Sequence, residues 1–213
     1  MQAPRPSSRR PRYRALALLV YGGMLACAAG IAWARDESLV RRTAEVGPLD
    51  SLAASLAAGT ALAALTIALT RVVVHRTGWG KTLRQDFRTL LADATPGDAL
   101  WLALVSGVGE EILFRGALLP WWGLAASSFA FGALHVGPSR RFWIWTVWAT
   151  ATGAVLGAIY EASGRLEGAI LAHVLINTVN LRFVLSFEGR LDTPPSIPGE
   201  QALVSRRKVR QTR

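Results

Sequence analysis

The chain has 213 residues, 51% of them apolar and 18% charged, with a formal charge of +10. The apolar residues come in long unbroken blocks rather than alternating with polar ones, which excludes an ordinary water-soluble domain and points to a lipid bilayer. A single cysteine, Cys27, excludes an intrachain disulfide and a cysteine-rich metal site.

Residues 1–14 are rich in Pro, Arg and Ser and read as a basic cytoplasmic tail. Residues 15–34 and 52–70 contain no charge, and each is about long enough to cross ~30 Å of hydrocarbon as a helix. The first of these follows RRPRYR and ends in AWA at 32–34, as a secretory signal would. Its run of about 20 apolar residues is longer than the usual signal core, so an uncleaved span is expected. Residues 75–97 read as a surface helix with Leu83, Phe87, Leu90 and Leu91 on one face. Four more apolar stretches follow near 98–118, 121–138, 142–160 and 166–185, and 186–213 form a second basic tail. The expected fold is therefore all-α, a polytopic transmembrane bundle of about six spans. Residues 15–97 give two N-terminal spans and a basic loop, and 98–185 form the core. Trp121, Trp122, Trp143, Trp145 and Trp148 fall near span ends, where interfacial anchoring accounts for them.

The positive charge could suggest nucleic acid, but its placement favours topology. With the N-terminus inside, the segments 1–14, 71–97, 139–141 and 186–213 hold eighteen Lys and Arg, and the outer loops hold four. Such a bias puts both termini in the cytoplasm of a multi-pass protein in the bacterial plasma membrane, with the bilayer as partner and no nucleic acid. Arginine outnumbers lysine 22 to 2, which hints at a GC-rich bacterial genome.

Ionisable side chains within spans are costly and call for a partner or a function. Here they form a set: Glu110, Glu111 and Arg115 in span three, His135 in span four, His173 and Asn177 in span six. Glu111 and Arg115 are four apart with the acid first, the favourable order for a structural ion pair. Glu110 is five residues from Arg115 and points elsewhere. Phe131 and His135, and His173 and Asn177, share the four-residue spacing. At ~1.5 Å per residue, Glu110 and His173 lie at similar depth, roughly 18 Å from the cytoplasmic ends of their spans. His135 comes out shallower if its span runs to Pro138, which requires a tilted or broken helix; Gly132 and Gly137 allow one. A carboxylate, two imidazoles and an amide suit water activation. Glu110, helped by His135, would take a proton from water attacking a peptide carbonyl, with His173 and Asn177 stabilising the oxyanion. Glu110, His135 and His173 are alternatively a three-ligand zinc set, although the HExxH signature is missing. Asn180, three residues beyond Asn177, is a second amide that could serve in its place.

GEEILFRGALLPWW, SSFAFGALH and GAVLGAIYEASGRLEGAILAHVLINTVN resemble the three motifs of the CPBP intramembrane proteases, also called the CAAX prenyl protease or Abi family, which includes bacteriocin-processing members. The family pattern EExxxR, FxxxH and HxxxN falls on Glu110-Glu111 to Arg115, Phe131 to His135 and His173 to Asn177, within residues 98–185. The resemblance implies an intramembrane endopeptidase acting on a membrane-associated peptide or protein. In it Glu110 and His135 activate water, His173 and Asn177 form the oxyanion site, and Glu111 and Arg115 are structural. It implies a glutamic-type reaction with no cofactor expected, and leaves a divalent metal such as zinc open. Relatives process prenylated C-termini, bacteriocin-type peptides or sorting signals of surface proteins, and a bacterial source makes the first improbable. The rival reading is a non-catalytic scaffold or immunity-type protein on the same fold. A proton-coupled transporter is disfavoured by the lack of a repeat and of paired discontinuous helices.

Overall fold

A computed structural model describes residues 10–36, 39 and 48–187; the two tails expected from the sequence lie largely outside the described residues. The described chain is helical and contains no strand. In order it forms α1 (Arg10–Arg35), α2 (Pro48–Arg76), α3 (Gly78–Leu90), α4 (Pro96–Glu111), a π-helical segment (Ile112–Leu118), α5 (Leu119–Ala133), a 3-10 turn (Arg140–Phe142), α6 (Trp143–Ser163) and α7 (Glu167–Leu185). Four stretches are long and apolar enough to cross a membrane: Arg14–Arg35, Leu52–Arg76, Arg140–Ser163 and Glu167–Leu185. The protein is a multi-pass helical membrane bundle.

The remaining apolar chain, Pro96 to Ala133, is a hairpin. Thr95 caps α4 by accepting from the Asp98 N–H, and the Asp98 carboxylate accepts in return from the Thr95 N–H at 2.8 Å, so both orphan donors are satisfied. The helix runs through the π-helical segment to Gly123, whose φ of 77° and ψ of 170° break it. Ser127 and Phe114 are thirteen residues apart and would be separated by about 20 Å in a continuous helix. Instead the Ser127 hydroxyl donates to the Phe114 carbonyl at 3.0 Å, and the Phe131 ring packs edge-on against that of Phe114. The return arm, from 124 to the end of α5 at Ala133, is thus too short to cross a bilayer. That resolves the depth of His135: its helix stops inside the bundle. The break expected near Gly132 or Gly137 is met by the end of α5 at Ala133, and a second break lies at Gly123. The two later glycines serve close packing, since a side chain on Gly132 would collide with Thr150 and one on Gly137 with the Phe142 ring.

Helices α2 and α7 cross where Gly59 and Gly168 meet, and the Gly168 N–H donates to the Ser55 hydroxyl at 3.0 Å in the buried crossing. At the opposite end of the bundle α3 lies across the ends of its neighbours. Arg84 donates to the Phe183 carbonyl at 2.7 Å, and Arg141 pairs with Asp86 at 3.5 Å. Arg14 pairs with Asp98 at this end as well. The amphipathic reading of α3 is met by Leu83 and Phe87, which face a groove, whereas Leu90 is exposed.

Candidate active site

Glu110 and Glu111 close α4 and are both buried, at 6% and 0% exposure. Arg115 follows in the π-helical segment at 1% exposure, and its Nη1 donates to Glu111 Oε1 at 2.8 Å. Its Nη2 donates to the Gly153 carbonyl at 2.7 Å, and the guanidinium lies 4.4 Å from the centroid of the Phe131 ring. Gly153 is required there, because a Cβ would stand 2.9 Å from Phe131 and 3.2 Å from Arg115 Nη2. The charge is therefore matched, hydrogen-bonded and stacked, as a charge out of contact with water must be. One end of this buried pair clamps α6 to the hairpin.

Glu111 has a second partner that helix spacing alone does not show. His173, on α7 and buried, donates from Nδ1 to Glu111 Oε1 at 2.7 Å. The bond fixes the ring's tautomer and orientation and leaves Nε2 for other contacts. Glu110 turns the other way. Its Oε2 lies 3.6 Å from His135 Nε2 and has no hydrogen-bond partner. His135 sits just past the end of α5. A carbonyl can only accept, so its Nδ1 at 2.7 Å from the Phe131 oxygen is the protonated nitrogen. Nε2 of the neutral ring then offers a lone pair towards Glu110. Thr146 holds the same turn by donating to the His135 carbonyl at 2.9 Å.

Asn177, one turn beyond His173, donates through Nδ2 to the Ser106 hydroxyl at 3.1 Å. Asn180 faces away, accepting from Arg71 at 2.9 Å. Of the two amides, Asn177 alone lines the small cavity of about 70 Å³ that also has His135 and His173 in its wall. Trp145 and Trp148 complete that wall, and Trp145 packs edge-on against the His135 ring at 4.9 Å. For these two indoles the anchoring explanation is too narrow, although Trp148 is also partly exposed; Trp121, Trp122 and Trp143 are exposed as anchors would be. A larger apolar groove of about 210 Å³ adjoins the cavity through Trp145, Trp148 and Asn177 and runs out along Leu83, Phe87 and Phe183. Glu110, His135 and His173 are not gathered as an ion site: among the described residues no three His, Cys, Asp or Glu side chains stand close enough to hold a metal. The structure adds Ser106 and Gly153 to the residues singled out from sequence. Ser106 lies four before Glu110 in an otherwise apolar run, a spacing that could have flagged it.

Residues 93–179, which contain Glu110, Glu111, Arg115, His135, His173 and Asn177, match the model of the family described as type II CAAX prenyl endopeptidase Rce1-like. Over this core the chain is similar to the CAAX-protease family. A further relative is the uncharacterized protein YpbD of Bacillus subtilis (strain 168), 36% identical over 80 residues. That match takes in 38% of this chain and 42% of the relative. No solved structure matches the chain. The three motifs lie on three separate helical stretches, and the hairpin at Gly123 and α7 bring them together.

Proposed function

We propose that the protein is an intramembrane endopeptidase that hydrolyses a peptide bond of a membrane-associated protein or peptide. The observation that carries this reading is Glu110 Oε2, buried and without a hydrogen-bond partner, facing Nε2 of His135 at 3.6 Å. Two acceptors so placed are suited to a water molecule that donates to both. Such a water presents its own lone pair outward, and Glu110 takes the proton as the oxygen attacks the carbonyl carbon. The oxyanion then needs donors. Asn177 has one amide N–H committed to Ser106 and a second free, and His173 with Nδ1 on Glu111 donates from Nε2 when doubly protonated, its charge offset by Glu111. Glu110 finally returns the proton to the leaving amine. No step is routed through a metal, because the side chains do not assemble a ligand set.

The apolar groove beside the cavity fits a hydrophobic stretch of substrate, so that the scissile bond is delivered from the membrane end that carries α3. Both termini are read as cytoplasmic and the membrane as the bacterial plasma membrane. The test compares membrane-protein fragments in cells making wild-type protein or Glu110→Gln at matched levels. Fragments present with wild type and lost with Glu110→Gln are the expected result, and their ends name the cleavage site. Identical fragment patterns would instead favour a scaffold on the protease fold.

A further inference from the structure

Helix α4 delivers Glu110, and it also reaches across to α7 at three levels. At one, Glu111 receives the His173 ring at 2.7 Å. At the next, Gly107 lies against Val174. A Cβ added there would stand 2.7 Å from Val174 Cγ2 and 3.2 Å from the backbone nitrogen, so the missing side chain lets the two helices approach closely. One residue before that glycine, the Ser106 hydroxyl meets Asn177 Nδ2 at 3.1 Å. Both oxyanion donors of the proposed reaction, His173 and Asn177, are thus held from α4. Ser106 is buried, yet it stands outside the wall of the catalytic cavity, behind Asn177.

A carboxamide has an accepting end and a donating end, and only the donating end stabilises an oxyanion. The Ser106 contact decides how that amide is turned. The serine proton is directed to the Ala103 carbonyl, 3.5 Å away and one turn back on the same helix. Its oxygen therefore faces Asn177 with lone pairs, which accept from Nδ2. Turning the amide over would set Oδ1 against those lone pairs, acceptor to acceptor. With one N–H engaged by Ser106, the second is left at a fixed place as a donor.

We propose that Ser106 is a positioning residue, which orients the Asn177 carboxamide for the oxyanion as Glu111 orients the His173 imidazole. The proposal rests on Asn177 acting as an oxyanion donor in the hydrolysis proposed above. Without the serine hydroxyl the carboxamide is free to rotate, a loss felt in the transition state rather than in substrate binding.

The test uses full-length protein in detergent and a peptide spanning the junction that wild-type cells cleave. Ser106→Ala is expected to lower kcat about ten-fold with KM unchanged, the scale of one hydrogen bond. In an Asn177→Ala background the same change should leave kcat where it is, since nothing remains to be positioned. An equal loss in both backgrounds would mean that Ser106 acts through packing and would overturn the proposal. Wild-type kcat in Ser106→Ala, with Glu110→Gln inactive, overturns it too and leaves the protease reading intact. If Glu110→Gln is as active as wild type, both fall. Should the alanine variant not fold, Ser106→Cys takes its place, because the sulfur fills similar space and accepts only weakly. A measurement free of substrate checks the contact itself. Asn177 and Asn180 are the only two asparagines in the sequence, so isotope labelling of the asparagine side-chain nitrogen gives two amide signals, assigned by the one lost in Asn177→Ala. The Asn177 signal should move in Ser106→Ala while that of Asn180 stays. An unmoved Asn177 signal would sink the proposal whatever the kinetics.

Discussion

At the level of single residues, Glu110 and Glu111 are adjacent in sequence and serve opposite ends of the site. Glu111 accepts from both Arg115 and His173, and removing its charge leaves a guanidinium at 1% exposure with no carboxylate partner. Breaking a buried pair in this way costs about 3–5 kcal/mol. Glu111→Gln should therefore lower the unfolding temperature of the purified protein and its folded yield. It should also slow turnover in the protein that remains, because the His173 ring loses its anchor. Glu110→Gln, which breaks no ion pair with Arg115, should melt close to wild type while being inactive; thermal unfolding of the two variants side by side checks the division. Sequence spacing showed half of this. The i,i+4 relation predicts the Glu111–Arg115 pair, but the bond from His173 joins residues 62 apart and depends on how α7 is seated on α4. No local pattern carries that register.

At the level of elements, the site is built by glycines that let helices approach and by one that breaks a helix. Gly123 has φ of 77° and ψ of 170°, a region open to almost nothing but glycine, and there the hairpin turns. The sequence reading expected a break in span four near Gly132 or Gly137, and α5 does end at Ala133, but the sharper turn at Gly123 was not foreseen. Glycine content alone does not say which residue adopts positive φ and which one is merely crowded. The π-helical segment is also invisible in the sequence, because ILFRGAL satisfies an ordinary helix equally well. Crowding gives a sharp prediction at the α2–α7 crossing. A Cβ on Gly168 would lie 2.0 Å from the Ser55 carbonyl oxygen, a backbone atom that cannot swing aside. Gly168→Ala should force α7 off α2, costing about 1–3 kcal/mol as overpacking does. Since α7 carries His173 and Asn177, catalysis should fall together with the unfolding temperature. Gly22→Ala on α1, with nothing within 4 Å of the added carbon, is the matched control and should leave both unchanged.

At the level of the whole molecule, charge and hydropathy in the sequence announced a membrane bundle, and its described basic segments do gather at one end. Arg14, Arg84 and Arg141 are held there by Asp98, by the Phe183 carbonyl and by Asp86. The same end carries α3 and the mouth of the apolar groove. Trp121 and Trp122 mark the other end, next to the Gly123 turn. If the basic end is cytoplasmic, the groove opens towards the cytoplasm and substrate enters from that side. The chain suits a direct test, because its only cysteine, Cys27, lies within the apolar stretch of α1 and can be replaced by alanine. In that background Lys81→Cys, on the exposed face of α3, should react with a membrane-impermeant maleimide in inside-out vesicles and be protected in intact spheroplasts. Trp121→Cys, at the hairpin tip, should show the reverse. Labelling of Lys81→Cys from outside would invert the molecule, place the groove mouth on the extracytoplasmic face, and require a substrate that has already crossed the membrane.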